Sequence, residues 1–282
     1  MSGDLWYNTR VSEKTYDRKR NEGERLTKII TVANQKGGVG KTTSAVNIAA
    51  GLGYYDRRVL LVDIDPQGNA TSGVGFDKRS IAKSTYEILL NEAKAEEVVQ
   101  HTKYKNLDIL PAGIDLAAVE FEIMESSDRL QRLKKALLPI KANYDYIIID
   151  CPPSLGIITT NALTACDSVL VPIQCEYYAL EGLSQLMNSV RYVKRKLNEH
   201  IYIEGVLLTM YDGRLNLTQQ VVSEVKQYFP KKVFGTVIPR GVRLSEAPSF
   251  GMPIMYYDKN CKGSEAYLSL AQELIRKEIK HV

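Results

Sequence analysis

The sequence predicts an α/β fold, a mostly parallel twisted sheet with helices on both faces. Three observations carry that expectation. Short β-branched runs such as "RVLLVDID" (58–65) and "YDYIIID" (144–150) are apolar without alternation, as in strands buried on both faces. Segments such as "NLTQQVVSEVKQYF" (216–229) lie between these runs with helical spacing, which is the alternation of crossover units. Three of the runs end in acids or lead into glycines, and such sheets bind ligands at their carboxyl ends.

In chain order, "KIITVA" (28–33) is read as the first strand, and "TTSAVNIAAGLGYY" as a helix starting at about Thr42. "RVLLVDID" follows as a strand, then "NLDILPA" (106–112). "DRLQRLKKALLPIK" (128–141) has the pattern of an amphipathic helix and precedes the strand "YDYIIID". "DSVLVPI" (167–173) reads as strand and "YALEGLSQLMNSVRYVKRKL" (178–197) as helix. "IYIEGVLLTM" (201–210), the helix of 216–229 and "KVFGTVIP" (232–239) read strand, helix, strand. "GSEAYLSLAQELIRKEI" (263–279) closes the chain as a helix.

The composition fits this picture. Of 282 residues, 44% are apolar and 25% charged, the balance of a globular protein with a real core. Residues 1–27 are polar, mixed in charge and weakly periodic, and are expected to be a flexible N-terminal extension to a single domain over 28–282. No apolar run approaches the ~20 residues that span a bilayer, and the N-terminus lacks the apolar segment of a signal peptide. A cytoplasmic protein is expected. Cys151, Cys166, Cys175 and Cys261 show no metal-ligand spacing and are read as reduced thiols. The net charge of +4 is too small to argue for nucleic acid by itself, but its distribution is uneven. Arg191 to Lys262 holds twelve Lys or Arg against six Asp or Glu, a larger surplus than that of the whole chain.

The sharpest local signal is "ANQKGGVGKTTSAVN" (33–47). Gly37, Gly38 and Gly40 allow a tight turn whose N–H groups point at a phosphate, with a helix N-terminus behind it. In such a loop Lys41 contacts the β- and γ-phosphates and Thr42 ligates Mg²⁺. Gln35 stands where the general motif has its first glycine, so the loop is a deviant form. Asp63 and Asp65 end one strand and Asp150 another, positions suited to holding Mg²⁺ through water and to orienting an attacking water. Lys36 is surplus to this scheme. From the residues alone it is either a solvated lysine at the loop edge or a second phosphate contact.

"KGGVGKTT", "DIDPQGNATSG" and "DCPPSLG" together resemble the ParA/Soj family of partitioning ATPases, a branch of the deviant Walker A P-loop NTPases that also contains MinD. The likeness covers roughly 28 to 278 and includes "QCEYYALEGL" (174–183) and "VIPRGVRLSEAPSFGMPI" (237–254). The resemblance implies ATP and Mg²⁺ as cofactors. It implies an ATP-binding set of Lys36, Gly37, Gly38, Val39, Gly40, Lys41, Thr42 and Thr43, with the adenine near Pro239, Arg240 and Gly241. It implies that Lys36 reaches across an ATP-dependent homodimer to the partner's phosphates, while Lys41 acts within its own subunit. Asp65 is then the residue that orients hydrolytic water. Thr42, Asp63 and Asp150 form the metal side. Arg214 and Arg243 match positions that contact double-stranded DNA without sequence preference, and a ParB/Spo0J-type protein is the implied partner that stimulates a slow ATP hydrolase. Association with the nucleoid follows, and no membrane is expected. The alternative is a MinD-like division-site ATPase, which needs a lipid-binding C-terminal helix. "LSLAQELIRKEIKHV" has some of that pattern but reads better as a packing helix.

Overall fold

The computed structural model describes residues 27–176 and 181–280. Seven strands make one sheet: β1 (Lys28–Val32), β2 (Val59–Asp63), β3 (Gln100–His101), β4 (Leu107–Leu110), β5 (Tyr146–Asp150), β6 (Ser168–Gln174) and β7 (Tyr202–Thr209). Their order is β3-β4-β2-β5-β1-β6-β7. Every pairing is parallel except β3 with β4. The helices are α1 (Lys41–Tyr54), α2 (Asn69–Gly73), α3 (Thr85–Leu90), α4 (Ala95–Val98), α5 (Val119–Glu122) and α6 (Arg132–Leu137). They continue with α7 (Ile157–Ala165), α8 (Glu181–Lys196), α9 (Asn216–Tyr228), α10 (Val242–Glu246), α11 (Ile254–Tyr257) and α12 (Lys262–Lys280).

Alternation along each strand sorts the core into two layers. Ile29 of β1 and Ile147 and Ile149 of β5 pack toward α3, α6, α7, α8 and α9. Ile30 and Val32, with Tyr146 and Ile148, pack toward α1, α2, α11 and α12. The expected helix-covered, mostly parallel sheet is thus the observed one. Tyr267, Leu270, Ala271 and Leu274 of α12 are buried in this second layer, so the apolar stripe of the last helix is used in the core. Among the described residues no helix is long and apolar enough to cross a membrane.

Two expected elements differ. The helix over 128–141 shrinks to Arg132–Leu137; at its carboxyl end Pro139 has no N–H to donate, so the hydrogen-bond ladder cannot continue through it. The strand over 232–239 reduces to two isolated bridges, Val206 with Val233 and Tyr211 with Pro239. It begins to pair with β7, where Phe234 N donates to Val206 O at 3.0 Å. Glu273 on α12 then takes the N–H groups of Gly235 and Thr236, each at 3.0 Å, and pulls the chain off the ladder. Pairing resumes only at Ile238, whose N donates to Leu208 O at 2.8 Å. The extension expected over 1–27 lies outside the described residues except for Thr27, whose hydroxyl donates to Lys141 O at 2.6 Å. The helix expected over 178–197 is described from Glu181.

Candidate functional site

β1 lies between β5 and β6, and the loop leaving its carboxyl end is tied to β6 and to β7 beyond it. Asn34 Nδ2 donates to Pro172 O at 2.7 Å beyond β1, and Thr209 Oγ1 at the end of β7 donates to Val39 O at 2.9 Å. Gly38 and Gly40 have φ of 74° and 84°, a left-handed backbone that glycine adopts without strain. Gly40 is the N-cap of the fourteen-residue α1, and no side chain occupies that cap. The first N–H groups of the helix therefore face the loop, where an anion would satisfy them. Lys41 is buried, and its Nζ donates to Lys36 O at 3.0 Å. Burial pulls its ammonium below the usual lysine value, opposed chiefly by Asp150.

Asp63 and Asp150 are register partners at the ends of β2 and β5, and both are fully buried. Their surroundings are opposite. Asp63 Oδ2 accepts from Thr71 N and Thr71 Oγ1, both at 2.8 Å, and Oδ1 accepts from Asp65 N at 3.1 Å. Both Asp63 oxygens are thus engaged within the "DID" turn. No hydrogen bond of good geometry reaches either oxygen of Asp150, although the Thr42 hydroxyl lies close enough to stabilise its charge. Burial and then the Asp63 charge push its carboxyl well above the usual carboxylate range, against the Thr42 side chain and Lys41. A buried carboxylate without donors is costly, and a hydrated divalent cation beside Thr42 would supply the missing partners. Among the described residues no three His, Cys, Asp or Glu side chains converge as a metal cage. That fits an ion held mainly by phosphates and water. Asp65 is buried, and its Oδ1 accepts from Gln67 N at 2.9 Å. It acts electrostatically on both Lys41 and Asp150, so the three groups share one site.

Beside the loop, a cavity of about 610 Å³ joins Gly40 and Thr43 to Pro239, Arg240 and Gly241. The structure thus brings the predicted phosphate and adenine segments to one cavity. Sequence reasoning missed Met210 and Tyr267 in its lining. Met210 has φ of 49°, a conformation strained for a methionine. Its position at the carboxyl end of β7 was the available signal. Tyr267 of α12, bonded to Ser44 Oγ at 3.1 Å, gives none that a local pattern would reveal.

Three predicted cations lie outside the buried centre. Lys36 Nζ pairs with Glu176 Oε2 at 3.1 Å, just past β6. Arg214 is forked onto Asp212. Arg243 on α10 pairs with Glu246 at 3.0 Å and Asp258 at 3.5 Å. Cys151, next to Asp150, is fully buried, and burial pushes its thiol far up, which makes it unreactive.

With this geometry described, comparison with known proteins adds its findings. Residues 27–203 match the family model described as an AAA domain. The chain is 60% identical over 247 residues to the sporulation initiation inhibitor protein Soj of Bacillus subtilis, covering 88% of this chain and 98% of that protein. It is 54% identical over 251 residues to the chromosome partitioning protein ParA of Myxococcus xanthus, covering 89% of each. Among solved structures it resembles cobyrinic acid a,c-diamide synthase of Mycobacterium smegmatis with bound ATP analogue and magnesium. That match has a TM-score of 0.81 and 37% identity, and covers 90% of this chain and 96% of the other.

Proposed function

The chain belongs to the ParA/Soj family of partitioning ATPases, and from that premise we propose that it is an ATP-dependent DNA segregation ATPase acting as a nucleotide-gated dimer. The observation that carries the reading is the convergence of the glycine loop, the buried Lys41 and the donor-free Asp150 at one strand end. Residues 28–282 form the ATPase domain.

The loop N–H groups of residues 37–43 and Lys41 bind the phosphates, and the 610 Å³ cavity takes the base between Met210 and the 239–241 segment. Thr42, Asp63 and Asp150 would form the metal side, with Asp63 also fixing the turn that presents Asp65. When bound, the metal neutralises charge developing on the phosphoryl oxygens. Asp65 orients water for attack. Its Oδ1 is already engaged by Gln67 N, which agrees with slow turnover awaiting a partner. Lys36 leaves Glu176 and reaches the phosphates of the second subunit, a cation delivered in trans as an arginine finger is. Dimerisation then depends on ATP. The paired surfaces bearing Arg214 and Arg243 sum to useful affinity for DNA phosphates, and neither arginine sits on an element arranged to read base edges. A ParB/Spo0J-type protein stimulates hydrolysis and frees the dimer from the nucleoid, in the cytoplasm.

The test is DNA binding with no nucleotide, ADP and ATP, for wild type, Lys36→Ala, Arg214→Glu and Asp65→Ala. Binding is expected only with ATP, lost in the first two variants and kept in the third. Wild type that ignores DNA in every nucleotide state would overturn the reading.

A further inference from the structure

The loop leaving β7 ties the cavity to the basic surface within six residues. Thr209 holds Val39 of the phosphate loop, and Met210 lines the cavity. Tyr211 N donates to Ile238 O at 2.9 Å, and Arg240 N donates to Tyr211 O at 3.5 Å. Gln219 Nε2 braces the loop by donating to Tyr211 Oη and Gly213 O, both at 3.3 Å.

Asp212 comes next, and it takes three donors from one residue. Arg214 gives it the backbone N–H at 3.1 Å, Nε at 2.8 Å and Nη2 at 2.6 Å. Guanidinium and carboxylate meet edge to edge, the two-toothed geometry with which arginine also grips a phosphate. The Arg214 side chain is 89% exposed and that of Asp212 27%. An incoming phosphate can therefore reach the guanidinium, while the carboxylate is held against the loop. The Arg214 hydrogen bonds, with the Arg240 charge adding to them, hold the Asp212 carboxyl down to about 2, so it stays ionised at neutral pH.

We propose that Asp212 is a built-in stand-in for a DNA phosphate. It fills the fork of Arg214, and DNA binding requires the exchange of this carboxylate for a backbone phosphate. The inference rests on the DNA-binding reading above and deepens it. Asp212 weakens the hold of each subunit on DNA, so a single subunit binds poorly and the pairing of two surfaces decides binding.

The test uses fluorescence anisotropy of a labelled duplex of arbitrary sequence, across a salt series, with a non-hydrolysable ATP analogue. The proteins are wild type, D212N, D212S, R214A and D212N/R214A. The first two variants keep a side-chain oxygen that can accept the turn N–H, and D212S stands in if D212N fails to fold. Removing the carboxylate is expected to tighten binding about twofold to fivefold per subunit, the range of an exposed ion pair, and by the square of that in the dimer. Because Arg214 ends on the same phosphate in wild type and in these variants, their salt slopes should match, and the slope should fall by about 0.9 per arginine only where R214A removes the contact. The double variant should bind as weakly as R214A. Unchanged affinity in D212N and D212S, or a gain that survives R214A, would overturn the role of Asp212. Failure of wild type itself to bind DNA would instead overturn the DNA reading on which it rests.

Discussion

The two ends of the sheet bury acids equally well and satisfy them in opposite ways. At the amino end, Glu204 of β7 pairs with Lys28 at 2.8 Å and accepts from Ser168 Oγ at 2.9 Å. Burial pushes its carboxyl up, but Lys28 and Ser168 outweigh that and hold it below the usual range. At the carboxyl end, Asp150 is fully buried, and no hydrogen bond of good geometry reaches its oxygens, with only the nearby Thr42 side chain easing its charge. The same sheet thus holds one acid completed by its own chain and one left incomplete. Burial alone does not mark a functional acid. Burial without partners does.

Breaking each end should give opposite phenotypes. Asp150→Asn is expected to lower Mg²⁺-dependent ATP turnover by about 10²-fold while leaving the Tm of the metal-free protein unchanged or higher. Turnover within threefold of wild type would erase the distinction. Glu204→Ala should do the reverse. It strands Lys28, whose side chain is 13% exposed, and should cost about 3 kcal/mol in denaturant unfolding with turnover of the folded protein intact. Tyr146→Phe removes the hydroxyl that donates to Glu278 Oε2 at 2.6 Å and sharpens the amino-end picture with a loss of about 1–2 kcal/mol.

The ends also titrate with opposite signs. Glu204 has a folded pKa below its usual 4.5. Its contribution is present above pH 4.5 and is lost as pH falls through the folded value. Asp63 beside Asp150 is raised from 3.8 to about 6 by burial, so its contribution falls as pH rises through that interval in the metal-free protein. Urea unfolding between pH 3 and 7 for wild type and Glu204→Gln should show the acid-side loss shrink in the variant. The smallest effect belongs to neither end. Lys83 and Glu97 form an exposed pair at 2.8 Å, and Lys83→Ala should leave Tm and turnover unmoved.

Much of this contrast was legible in the sequence at one end only. The apolar runs with terminal acids, and the glycine loop with Lys41, announced the carboxyl end, because strand-end chemistry is written in contiguous residues. The amino-end pairing of Lys28 with Glu204 joins residues far apart in sequence, and no local pattern shows it. The same holds for Tyr267 in the cavity and for Glu273, whose two hydrogen bonds from 235 and 236 turned an expected strand into bridges. The sequence placed Asp63 and Asp150 alike. Thr71, reaching back from α2, and the Asp65 N–H separate them by engaging Asp63.

The most direct test is the thermal shift produced by Mg²⁺ with a non-hydrolysable ATP analogue, relative to the analogue alone, in wild type, Asp150→Asn and Glu204→Ala. The account predicts a Mg²⁺-dependent rise in Tm for wild type and an equal rise, from a lower starting point, for the Glu204 variant. It predicts none for the Asp150 variant. A full Mg²⁺-dependent rise in Asp150→Asn would contradict the claim that the donor-free acid at the carboxyl end is the metal-side residue.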